Sequence, residues 1–240
     1  MSTEKQAQWL ASPLGQYLKE QEQALFDEAV HDIFGFNAMQ FGMLAMPLLR
    51  HCRIPYQFGA DVAGGLMQCE SHQLPLQAGS LDLLLLPHTL DFSEHPHQTL
   101  REAARVLVPE GHIIMTGFNP VSPWGIRRLA SNNDDYPWDA NFLSLMRVKD
   151  WLALLDFEVI EARMACHMPP FRNSSGHGRL GSVERLGARL WPLMGGVYFV
   201  LAKKRVIGMR LIKPVWGKSK LKAGLLPTPT QRTDVQNKHE

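Results

Sequence analysis

The chain has 240 residues, 45% of them hydrophobic and 20% charged, with a formal net charge of +2. That is enough apolar material for one sizeable core, which excludes a fibrous or wholly disordered chain. Three scattered cysteines, Cys52, Cys69 and Cys166, fit neither a disulfide framework nor a metal-ligand spacing.

The first residues are polar and no apolar run is long enough to span a bilayer, which predicts a cytoplasmic protein without membrane association. The charge is uneven along the chain. Residues 203–240 carry ten Lys or Arg against two Asp or Glu, and eight of the basic ones fall between Lys203 and Lys222 with no acid among them. Such a block is read as a flexible, solvated tail over 214–240. Binding of nucleic acid through it is the second reading, disfavoured because no aromatic stacking series accompanies the charge.

Residues 1–213 then form one domain. Ser12-Pro13 before Leu14–Ile33 predicts a capped helix, with Gly35 as its stop. Asn37–Phe41, ending at Gly42, reads as a first strand, and Met43–Leu49 as a brief helix around Pro47. Ile54–Gly59 and Gly65–Glu70 are weaker strand candidates. Leu81–Leu86 is too short and too apolar for anything but a strand buried on both faces. A helix from Pro96 to Leu107, a Pro109-Glu110-Gly111 turn and a strand over His112–Gly117 complete a right-handed crossover. Residues 119–146 have no period and are read as an insertion over one end of the sheet. Val148–Leu155 is a helix, and Glu158–Met164 and Val197–Ala202 are strands, separated by a Gly/Ser-rich loop over 173–181. The fold class is therefore α/β, a Rossmann-like, mostly parallel open sheet with helices on both faces.

Four segments carry a more specific message. Gln73-Leu74-Pro75-Leu76, Gly79-Ser80-Leu81-Asp82, Pro87-His88-Thr89-Leu90 and Leu100-Arg101-Glu102 through Arg105-Val106-Leu107 follow one another in order. This block resembles the centre of class I S-adenosylmethionine-dependent methyltransferases of the type 11 group, over Glu70–Gly117. Gly35-Phe36-Asn37 and Gly117-Phe118-Asn119-Pro120 are similar to a bacterial subgroup of that family. The resemblance implies an antiparallel final strand, S-adenosylmethionine as cofactor, and transfer of a methyl group to a small-molecule or protein acceptor. The alternative is a methyltransferase-like regulatory or binding module that has lost catalysis.

The resemblance also implies positions for the site. Gln40, Phe41 and Gly42 fall at the turn that receives the methionine end of the cofactor, although the family usually has an acid where this chain has Gln40. Glu70, Ser71 and His72 fall near adenine, and Pro87 beside the transferable methyl group. His88 is read either as a base taking a proton from the acceptor or as a residue bonding backbone at the strand end. Asn119, Trp124 and Arg127 are candidates for the acceptor. No carboxylate is convincing for the ribose hydroxyls, and Asp61 reads as a loop residue. Asp91 is taken as a cap or solvated residue, Asp82 as fixing the turn before its strand, and Glu102 with Arg105 as a surface ion pair. His95-Pro96-His97 lacks a third ligand, so no metal is expected.

Overall fold

The computed structural model describes residues 3–130, 136–170 and 194–205. The basic tail and the Gly/Ser-rich segment lie outside the described residues. Two helices come first, α1 (Thr3–Leu10) and α2 (Pro13–His31). Ser12 caps α2 by accepting a bond from Gly15 N at 3.1 Å, and Pro13 occupies the first turn, where an amide is not needed. A side chain at position 15 could not be accommodated, because its Cβ would lie 2.1 Å from the Trp9 carbonyl oxygen of α1.

The strands are β1 (Asn37–Phe41), β2 (Tyr56–Asp61), β3 (Met67–Gln68), β4 (Leu81–Pro87), β5 (Leu107–Phe118), β6 (Phe157–Ala165) and β7 (Val197–Lys204). They form one sheet in the order β3-β2-β1-β4-β5-β7-β6. β1 pairs parallel with β2 and β4, and β4 with β5, whereas β7 runs antiparallel to both β5 and β6. The expected architecture is therefore present, and the antiparallel strand is inserted one place from the edge.

Alternation along β1, β4 and β5 feeds two cores. On one face Ala38, Leu83, Leu85, Ile114 and Phe118 pack with Leu18, Phe26 and Val30 of α2. On the other, Met39, Phe41, Leu84, Leu86, Ile113 and Met115 meet two further helices, α4 (Pro96–Val106), which follows the single turn α3 (Thr89–Phe92), and α6 (Leu145–Leu154). This two-sided burial is why Leu83–Leu86 of β4 reads as an unbroken apolar run, each large side chain contributing roughly 1.5–3 kcal/mol.

Three expectations need correction. Residues 43–51 form turns and no helix, for a reason given below. β5 starts directly at Leu107, where α4 ends, and Pro109-Glu110-Gly111 lie in an irregular stretch between the Leu81–Leu107 and Leu83–His112 pairs. The 119–146 segment is built into the core. It carries α5 (Pro123–Ala130), and Trp124, Tyr136, Trp138 and Phe142 are buried, with Trp9 of α1 edge-on to both Trp124 and Tyr136. Irregularly spaced aromatics give no periodic signal even when every one of them packs.

Candidate active site at the carboxyl ends of the strands

A cleft of about 420 Å³ opens where β1, β2 and β4 end. This is the crevice in which open α/β sheets bind ligands, and its volume falls within the roughly 300–1,000 Å³ usual for small-molecule sites. Its walls include Phe41, Gly42 and Met43 at the end of β1, Asp61 and Val62 at the end of β2, Glu70, Ser71 and His72 before β4, and Pro87, His88 and Thr89 at the end of β4.

Gly42 has φ 79°, a left-handed conformation that suits glycine. A Cβ there would meet only Thr89 Oγ1, at 3.7 Å, so the backbone is open to close approach by a ligand. Thr89 Oγ1 donates to the Phe41 carbonyl at 3.1 Å and Gly42 N to the Ala60 carbonyl at 2.8 Å, which fixes the turn between β2 and β4.

Gln40 is buried and does not line the cleft. Its Nε2 donates to the carbonyls of Gly42, Met43 and Met46, and its Oε1 accepts from Leu48 N. One amide side chain thus satisfies backbone groups that a helix after β1 would otherwise pair internally. A carboxylate could not donate to three carbonyls, so glutamine at this position and turns over 43–51 are two sides of one arrangement. Because the connection has no helix, β2 arrives early and ends at Asp61.

Asp61 is the residue that sequence reasoning passed over. The structure makes it the last residue of β2, on the cleft wall, with its Oδ1 held by Val62 N. The signal available was the segment Tyr56–Asp61 itself, a short strand closing on an acid. Glu70, Ser71 and His72 line the same cleft. Ser71 Oγ bonds Thr99 Oγ1 at 2.9 Å, Thr99 Oγ1 bonds Ser93 Oγ at 3.0 Å, and the His72 and His95 rings meet edge-on at 5.1 Å. These links tie the loop before β4 to the start of α4.

His88 lines the cleft but is buried, in a left-handed conformation with φ 51°. Its Nε2 lies 2.6 Å from Glu22 Oε1 of α2 and its Nδ1 3.0 Å from Asp91 Oδ2, and the Phe118 ring sits 4.0 Å from the imidazole. Asp91 Oδ2 also accepts from Phe118 N at 2.9 Å. Burial alone presses the imidazolium pKa down. The Glu22 charge and the bonds to Asp91 and Glu22 outweigh it, and the pKa is pushed up to about 9. His88 is therefore charged at neutral pH, with a carboxylate on each ring nitrogen and no lone pair for a substrate proton. Asp91, read from the sequence as a cap or solvated residue, is buried, and it joins this triad to the end of β5. Glu22 was also missed. It sits on the stripe Leu18, Glu22, Phe26 and Val30, all fully buried at a spacing of four, and an acid on such a stripe was the readable clue.

The structure does not bring Asn119, Trp124 and Arg127 to the cleft. The Asn119 side chain bonds the carbonyls of Val121 and Gly195 and the amide of Val121, holding the loop after β5. Trp124 is fully buried and donates Nε1–H to the Met168 carbonyl, while Arg127 lies over the Trp138 ring and bonds the Pro170 carbonyl. Asp82 accepts from Phe36 N and Asn37 N at 2.8 and 2.9 Å and so fixes the entry to β1. Glu102 pairs with Arg105, whose guanidinium also donates to the Leu74 and Leu76 carbonyls. Among the described residues no three His, Cys, Asp or Glu side chains are grouped to hold a metal, and no helix is long and apolar enough to cross a membrane.

The cleft fits a nucleoside bearing a cationic sulfur. It has an open glycine backbone, a carboxylate at the end of β2, the polar side chains of Glu70, Ser71 and His72, and neither Lys nor Arg among its described lining residues. Residues 50–115 match the family model for a methyltransferase domain. The chain belongs to the class I S-adenosylmethionine-dependent methyltransferase family, and S-adenosylmethionine is its cofactor. It is 33% identical over 183 residues to the uncharacterized protein YafS of Escherichia coli (strain K12), covering 75% of this chain and 72% of that one. Its fold is similar to that of a SAM-dependent methyltransferase of Thermotoga maritima, a possible histamine N-methyltransferase, with a TM-score of 0.62 at 18% identity over 84% of this chain and 96% of that one. It is also similar to the geranyl diphosphate C-methyltransferase of Streptomyces coelicolor A3(2), solved with S-adenosyl-L-homocysteine, with a TM-score of 0.51 at 15% identity over 77% and 80% of the two chains.

Proposed function

We propose that the chain is an active methyltransferase on a small-molecule acceptor, with the cofactor lying along the cleft from Gly42 to His72. The observation that carries this reading is the pairing of an open Gly42 backbone with Asp61 on one 420 Å³ cleft. Phe41, Gly42 and Pro87 border the methionine end, Asp61 binds the ribose hydroxyls, and Glu70, Ser71 and His72 face the adenine. Asp61 supplies the carboxylate whose apparent lack favoured a non-catalytic module, which leaves that alternative without its main support.

When bound, the cofactor supplies an activated methyl group for in-line displacement. The protein's task is to align the acceptor and exclude water. His88 does this as a positioning residue. With Glu22 and Asp91 it locks α2 to the ends of β4 and β5. Gln6 of α1 and Phe92 line the cleft beside His88, which suits a small acceptor better than a protein side chain.

Calorimetric titration of the purified protein with S-adenosylhomocysteine tests the reading. Saturable micromolar binding, lost in Asp61→Ala, is expected. No heat at millimolar ligand would overturn it.

A further inference from the structure

The methionine end of the cofactor carries a carboxylate, and the cleft offers it little positive charge. Neither Lys nor Arg is among the described lining residues, whereas Asp61, Glu70 and Glu94 are. The donors nearest Gly42 are already engaged. Thr89 Oγ1 donates to the Phe41 carbonyl, Gly42 N donates to the Ala60 carbonyl, and His88 is held between Glu22 and Asp91. The Gln6 side chain bonds the Tyr136 hydroxyl. What is left is the backbone that follows Gly42.

Gln40 decides how that backbone is turned. From its buried position its Nε2 donates to the Gly42 and Met43 carbonyls, each at 3.1 Å. Both peptides are trans, so in each plane the N–H points opposite to the C=O. The Met43 and Leu44 amides therefore point away from Gln40. Because the two carbonyls converge on one nitrogen, the two N–H groups lie together on the other side of the chain, where Gly42 and Met43 line the cleft. Successive φ angles of 79° and 49° at Gly42 and Met43 belong to this turn. Neither Met43 N nor Leu44 N donates to any acceptor among the described residues. Successive amides aimed the same way form a concavity that suits an anion.

We propose that Gln40 is a positioning residue for the cofactor: by holding the Gly42 and Met43 carbonyls inward, it aims the Met43 and Leu44 N–H groups at the methionine carboxylate. This rests on the methyltransferase reading above and deepens it. It also gives the departure from the family's acid a physical reason. A carboxylate at position 40 has no proton with which to hold those carbonyls, and it would set a negative charge behind the amides that receive one.

The test compares two ligands on the full chain by calorimetry, S-adenosylhomocysteine and its decarboxylated analogue, which keeps the amine. The parent should bind the analogue at least about tenfold more weakly, the effect of losing hydrogen bonds to a charged group. Gln40→Met is uncharged and of similar size, and in it that preference should shrink to about twofold or less. A merely structural role would weaken both ligands alike and leave the ratio intact. Amide NMR of the labelled parent gives a reading that needs no variant, and it alone decides if Gln40→Met does not fold. S-adenosylhomocysteine should move the Met43 and Leu44 N–H resonances downfield, and the analogue should not. Equal affinity of the parent for the two ligands, an intact preference in Gln40→Met, or the same response of both resonances to both ligands would overturn the proposal. Failure of S-adenosylhomocysteine itself to bind would overturn the underlying methyltransferase reading as well.

Discussion

Glu22 Oε1 and His88 Nε2 lie 2.6 Å apart with both side chains fully buried, although 66 positions separate them in the chain. The contact joins the second helix to the strand end that borders the cleft, and its charge state sets a pH window. The folded His88 pKa is raised to about 9, above the ordinary imidazole value of 6.5. The protonated folded form is thereby favoured, so the stabilisation is complete below about pH 6.5 and is lost as pH rises through about 9, amounting to a few kcal/mol in all. Melting curves of the parent and His88→Gln, compared from pH 6 to 9.5, should converge as pH rises. Parallel curves across that window would refute the buried imidazolium.

Asp61→Asn should weaken S-adenosylhomocysteine binding about tenfold or more, because hydrogen bonds to a charged group are each worth about 1.5–3 kcal/mol. The side chain is only partly buried, so the melting temperature should move little. Calorimetry and a thermal melt on the same sample decide the matter.

Gly42→Asp should fold and fail to bind the cofactor. The new Cβ has room, with Thr89 Oγ1 at 3.7 Å as its neighbour, and the left-handed backbone adds only about 1 kcal/mol of strain for aspartate. The carboxylate, however, would enter the space that the methionine end requires. A native far-ultraviolet spectrum with retained affinity would move the methionine subsite elsewhere.

Asp82→Ala should behave in the opposite way. It removes the acceptor of the Phe36 and Asn37 amides, and stability should fall by about 1–2 kcal/mol in a urea melt. Cofactor affinity should be unchanged, since Asp82 stands at the far end of the strands from the cleft.

Much of the scaffold was legible because its signals are local. The Leu81–Pro87 run, the Ser12-Pro13 cap and the Pro96–Val106 helix each announce themselves within a dozen residues. The site was less legible, because its determinants are long-range. Gln40 looked like a departure from the family pattern, yet it is what lets turns stand in for a helix and brings Asp61 to the cleft. His88 lines the cleft, but nothing near it in sequence reveals Glu22, its partner from α2. Asn119, Trp124 and Arg127 follow the strand end in sequence, yet their side chains are engaged in loop anchoring and aromatic packing away from the cleft.

The place of β7 in the sheet has a consequence for how the protein is assembled during synthesis. This strand, Val197–Lys204, is the last of those described, yet it fills the gap between β5 and β6. Until it has left the ribosome, the long apolar edge of β5 has no partner, and β6 has nothing to pair with at all. The nascent chain must therefore carry an exposed, sticky edge from the emergence of β5 until that of β7, and it is in that interval that helper proteins would have the most to protect.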